Sequence, residues 1–254
     1  MATVTETFES IGARARILPA FGRHDFYIDV DSDTRGEYFA LGVAPNIDMQ
    51  PLDARPKERH LVLLVRGEEK LRFLCGHDER HWFAAAVPGR ITTVAEARDS
   101  LKPFAVRDAE RALPKKLRDR RRNPAYVRQG EWFFVPAPDA AFGPEVILRK
   151  ERLSRGRGST PHIAEEAVRF GGEVVFVCSR HPQGVSESEY GGLVKRVPGA
   201  AAWGWRVEKR DPEVYVRGRI SHRDHATVIL KGWHRVLMNT EGDSNARSYL
   251  VFLD

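Results

Sequence analysis

Nine histidines occur in the 254-residue chain, and three of them, His222, His225 and His234, crowd into one stretch, SHRDHATVILKGWHRV. Imidazoles this close suggest two kinds of chemistry, the holding of a metal ion or the transfer of protons. The spacing sets a condition. Side chains on a strand alternate faces, so His222 and His225, an odd number of positions apart, point in opposite directions unless the chain turns between them. A turn fits, because SHRDH lies between two strand-like runs, EVYVRGRI and ATVIL.

His162, in STPHIAEEAV, is the natural third member. If a helix begins at Thr160 and Pro161, then His162, Glu165 and Glu166 share one face, a spacing that presents imidazole and carboxylate ligands together. Neutral imidazoles with a carboxylate suit a divalent metal such as zinc, or iron or manganese. A hydrolytic centre further requires an open coordination position for water, and the carboxylate left off the metal would serve as general base. Opposing this, the chain has no HExxH, no paired CxxC and no HxE followed by PCxxC. Acids near a helix start also complement its dipole without any metal.

Other candidates read more simply. His234 opens an apolar run and belongs at a strand edge, apart from the other two. His77 and His81, in GHDERH, mark a hairpin turn. Trp203 and Trp205, two apart, share a strand face and read as core. There is no GxSxG, GxGxxG or GxxxxGK[ST], so neither a serine-nucleophile elbow nor a nucleotide-phosphate loop is indicated.

Charge supplies the second signal. The net charge is +6, and between residues 115 and 128 Lys115, Lys116, Arg118, Arg120, Arg121, Arg122 and Arg128 face Asp119 alone. That one segment equals the whole excess. A second cluster, RKERLSRGRG, holds Arg149, Lys150, Arg152, Arg155 and Arg157 around Glu151. Cations at this density, with Tyr126, Trp132, Phe133 and Phe134 nearby, are what phosphate contact with base stacking requires. Solvated surface is the plainer alternative. Repulsion among the packed cations favours an acidic partner: a nucleic acid, an acidic protein, or the chain's own DVDSD.

The elements that must position these residues are short. EYFALGV (37–43), HLVLLVR (60–66), LRFLC (71–75) and HWFAAAV (81–87) read as strands of an antiparallel meander. In TTVAEARDSLKP, Thr93 and Glu96 have capping-box spacing and predict a helix; Ser186 and Glu189 do the same in SESEYGGLVKRV. Pro103 and Pro114 punctuate a further helical stretch before the basic run. The second half offers strand runs at 146–153, 173–179, 202–209, 213–220, 226–230, 234–239 and 248–253. The fold class expected is α+β, predominantly antiparallel β, with two sheet domains (1–102 and 125–254) joined by a basic helical connector (103–124). No apolar run approaches the roughly 20 residues of a membrane-spanning helix. The N-terminus lacks the pattern of a secretory or transit peptide, so a cytoplasmic location is expected. Cys75 and Cys178 read as buried free thiols rather than a disulfide framework.

RQGEWFFVP (128–136), PHIAEE (161–166) and HRDHATVILKGWHRV (222–236) are similar to motifs of a loose group of small bacterial β-rich proteins without an assigned activity. The likeness covers roughly the C-terminal half. In that group the middle motif carries two histidines one residue apart, whereas Ala164 stands in the second place here. The resemblance implies a shared β fold, a pocket where the histidine segments meet, and an association with defence or mobile-element systems.

The leading expectation is therefore a cytoplasmic protein that binds nucleic acid, RNA or single strands first, or another polyanion. A metal-dependent hydrolase built on His162, His222 and His225 with Glu165 or Glu166 is the alternative. A third is an assembly subunit docking an acidic protein.

Overall fold

The computed structural model describes residues 3–20, 25–154 and 160–240. The chain is α+β and mostly antiparallel β, with four sheets among the described residues. In the first half, Ala15–Pro19, Gly36–Val43 and Phe26–Asp33 form a three-stranded sheet in that order, its first pair parallel and its second antiparallel. Asp48–Arg55, His60–Arg66, Lys70–Asp78 and His81–Ala86 form a four-stranded antiparallel meander. The strand expected at 37–43 thus exists, but it belongs to the other sheet. Phe26, Ile28, Phe39 and Leu41 of one sheet and Leu61, Leu63, Phe73 and Cys75 of the other share one core. Val62 and Leu74 face the opposite way, beneath the helix Val94–Ser100. Burial on both faces explains why HLVLLVR is apolar at consecutive positions instead of alternating.

The capping boxes form as the spacing predicts. The Thr93 hydroxyl accepts from the Glu96 N–H and the Thr93 N–H donates to the Glu96 carboxylate in return, opening Val94–Ser100; Ser186 and Glu189 do the same for Glu187–Arg196. A third helix, Phe104–Arg111, lays Val106 against Ala125, Tyr126 and Phe133. Its Glu110, 3% exposed, takes hydrogen bonds from Lys102, from the Tyr126 hydroxyl (2.8 Å) and from the Asp119 N–H (3.0 Å). The basic run that follows is helical only over Lys115–Leu117, a single 3-10 turn, and Arg122–Asn123 already pairs as the outermost strand of the next sheet.

That sheet has seven strands in the order Leu148–Leu153, His162–Phe170, Glu213–Ser221, Val228–Met238, Trp132–Pro136, Tyr126–Gln129 and Arg122–Asn123. Trp132, Phe134, Ala164, Ala167, Val216, Ile220 and Val236 fill its core. The runs 226–230 and 234–239, expected as two strands, are one, because Gly232 (φ 78°) lets the strand bend without ending. A fourth sheet, His181–Ser186, Glu173–Cys178 and Arg206–Arg210, is inserted before Glu213. Cys75 and Cys178 are buried and free. The expected strand 248–253 lies outside the described residues. No helix among the described residues is long and apolar enough to cross a membrane.

Candidate metal centre

Residues 160–166 do not form the expected helix. Thr160 and Pro161 lead into the strand His162–Phe170, which is held between two neighbours: His162 opposes Leu153, and Ile163 opposes Ser221. Thr-Pro followed by acids imitates a helix start, but pairing on both edges and the apolar Ala164, Ala167 and Val168 favour a central strand. The strand turns His162 into the core, where it is 1% exposed.

The neighbouring strand ends at Ser221 and the chain bends through 222–227 before Val228. This is the turn that His222 and His225 require. His222 shapes it: its Nδ1 accepts the Asp224 N–H (3.1 Å) and its Nε2–H donates to the Thr160 carbonyl (3.1 Å). Gln129, fully buried at the end of the strand Tyr126–Gln129, donates to the carbonyl of Ala226 (2.6 Å) and tethers the far end of the bend. His225 Nδ1 donates to Glu79 Oε2 (3.2 Å), and the same oxygen accepts the Ala226 N–H (3.0 Å).

The three imidazoles meet. Ring centroids lie 4.2 Å apart for His162 and His222, 4.7 Å for His222 and His225, and 5.3 Å for His162 and His225. One nitrogen from each falls within 4.8 Å of the others. Both nitrogens of His162 are buried without a hydrogen-bond partner among the described residues. Burial first, then the neighbouring His222 and His225, push its pKa down to about 3, so the ring is neutral and retains a lone pair. Trp132 closes the other side, edge-on at 6.2 Å. His222 and His225 border a cavity of about 730 Å³ whose far wall comes from the first half of the chain, including Asp29, His60, His77 and Trp82.

The donor set fits a metal with modest rearrangement. Tetrahedral zinc at about 2.0–2.1 Å from each nitrogen sets those nitrogens roughly 3.3 Å apart, so a trio lying within 4.8 Å must close by up to about 1.5 Å. His225 would bind through Nε2, since Nδ1–H is held by Glu79. His222 would bind through Nδ1, keeping its bond to Thr160 and releasing the Asp224 N–H. His162 has either nitrogen free. Gly130 is part of the fit: with φ 57°, it sits where a Cβ would lie 2.7 Å from His225 Nε2.

No family model, curated protein or solved structure matches the chain.

Glu165 and Glu166 do not join the histidines. A bulge between Ala164 and Glu166 turns both outward: Glu165 accepts the Arg219 N–H (2.8 Å), and Glu166 pairs with Arg217 and, at 3.5 Å, with Arg149. The carboxylate that does reach the group is Glu79, at the tip of the GHDER hairpin, together with the tether Gln129. Neither is recognisable as a site residue from local pattern, since each lies about a hundred or more positions from the loop it holds. His81 instead pairs with Glu37 (2.5 Å), and His234 bonds the Gly232 carbonyl (3.0 Å) within its strand. Trp203 and Trp205 stack with His181 beside the inserted sheet, half-buried.

The basic segment is partly satisfied from within. Arg121 pairs with Asp78 and Glu79; Arg128 donates to the Gly130 carbonyl (2.8 Å); Arg118 donates to the carbonyls of Leu113 and Arg111; Arg122 donates to that of Ile229 (3.2 Å). Lys115, Lys116 and Arg120 are exposed, with no ion pair among the described residues. In the second cluster Arg149, Lys150 and Arg152 lie on the edge strand Leu148–Leu153, while Arg155 and Arg157 lie outside the described residues.

Proposed function

We propose that the protein is a metal-dependent enzyme of hydrolytic type, holding a divalent ion, zinc by ligand type, on His162, His222 and His225. The observation that carries this reading is His162, a core histidine with neither nitrogen engaged among the described residues and two further imidazoles stacked against it. Leaving such a group unpaired costs about 1–3 kcal/mol, and a metal ion removes that penalty. Three protein nitrogens leave a fourth position for water, as in catalytic rather than structural zinc sites. The adjoining cavity, with room for a small substrate, supports a catalytic centre over a closed structural one. Water bound there would be acidified toward neutrality and become the nucleophile. The two buried thiols suit a cytoplasmic protein.

Elemental analysis of protein purified without a histidine tag tests the reading. One zinc, iron or manganese per chain is expected, lost in His162→Ala; absence of stoichiometric metal from the native protein contradicts it.

Polyanion binding is a second reading, favoured by Lys115, Lys116 and Arg120, exposed and without an ion pair among the described residues. A filter-binding titration with RNA at two salt concentrations tests it; binding unchanged when these three are replaced by alanine contradicts it.

A further inference from the structure

We infer that Glu79 is a positioning residue of the histidine centre, fixing His225 as a metal ligand from across the molecule. The inference rests on the metal reading above. Glu79 belongs to the hairpin joining Lys70–Asp78 to His81–Ala86, in the first half of the chain, whereas all three histidines belong to the second. Its backbone φ is 39°, in the left-handed region where a side chain with a Cβ is strained and where glycine or asparagine usually stands. The strained conformation is held by what the carboxylate reaches. Oε2 accepts both His225 Nδ1–H (3.2 Å) and the Ala226 N–H (3.0 Å), while Oε1 is held by Arg121, which also grips Asp78 of the same hairpin.

The consequence for His225 is chemical. A carboxylate on Nδ1 makes that nitrogen the donor, sets the ring's rotation, and leaves the Nε2 lone pair directed outward. Glycine at 130 keeps the space before Nε2 clear. Hydrogen bonding to a carboxylate also raises the basicity of the ligating nitrogen. Arg121 holds Glu79 in turn, so the first half of the chain supplies no ligand yet orients one.

Zinc affinity, measured by competition with a chromogenic chelator on the full chain, tests the assignment. Glu79→Ala is expected to weaken zinc about ten- to hundredfold, Glu79→Gln less because the amide oxygen still accepts from Nδ1–H, and Arg121→Ala least. Thermal melts of the metal-free proteins run alongside, and cobalt-loaded Glu79→Gln is expected to show an altered visible spectrum. A purely structural contact would lower the melting temperature and leave zinc affinity and the cobalt spectrum unchanged; that result overturns the inference. Should Glu79→Ala fail to fold, the isosteric Glu79→Gln decides by the same two readouts. A native protein that binds no zinc defeats the metal reading itself, and the positioning role with it, which is distinct from a native protein that binds zinc with Glu79 irrelevant.

Discussion

Along the basic segment, Arg118, Arg121, Arg122 and Arg128 each donate to carbonyls or carboxylates of their own chain, so a run that reads as concentrated positive potential is partly spent inside the fold. At His162 the situation is reversed: a polar side chain lies in the core and both its nitrogens remain unengaged among the described residues. Density of charge in a sequence therefore overstates the free potential of the folded surface, while a single buried imidazole carries more information than its frequency suggests. Desolvation makes the difference. An exposed cation loses little by going unpaired, and a buried nitrogen loses about 1–3 kcal/mol.

His162 is the position where substitution has the largest expected effect. Replacement by alanine removes the one ligand that has no alternative partner, and metal affinity measured by equilibrium dialysis is expected to fall at least about a hundredfold; unaltered binding would show that the trio does not act together. A second effect concerns protons. His162 stays neutral in the fold, pushed down to about 3 from an ordinary value of 6.5, while the unfolded chain takes up a proton as the pH drops below 6.5. Stability from this group is complete above that value and declines as pH falls from 6.5 toward 3. His60, His77 and His234 are also lowered by burial and titrate in the same direction, so denaturant melts in the presence of a chelator should show the native protein losing about 2 kcal/mol more than His162→Ala between roughly pH 7 and 5.

A smaller effect is expected at Gln129, whose amide ties the bend at Ala226 to the strand Tyr126–Gln129. Gln129→Leu keeps the volume but drops that bond, and urea melts should register a loss of about 1–2 kcal/mol. The smallest belongs to the basic side. Replacing Lys115, Lys116 and Arg120 together by alanine should change stability by less than about 0.5 kcal/mol and leave metal content untouched. If RNA is bound there, the same variant should flatten the salt dependence of binding. A large loss of stability in that variant would mean that these cations are paired after all.

Much of the scaffold was legible. Strand-length apolar runs and the capping boxes at Thr93 and Ser186 depend on local spacing, and local spacing survives folding. The meeting of His222 and His225 was legible too, because parity along a strand forbids it and polar residues between two strands permit a turn. What was hidden depended on distant chain. Glu165 and Glu166 had helical spacing from His162, yet sheet pairing and a bulge opposite Gly218, where a Cβ would meet the Glu165 carboxylate at 2.6 Å, send both away. Glu79 lies 146 positions from His225, and nothing in GHDER by itself identifies its partner. The basic run looked helical and free because its sequence does not show which carbonyls and acids come to meet it.

The central claim is that three imidazoles hold one metal with a place left for water. X-ray absorption on the zinc-loaded native protein tests it most directly. Three histidine nitrogens at about 2.0–2.1 Å and one further oxygen are expected; a shell of oxygens alone, or fewer than three imidazoles, would contradict the assignment.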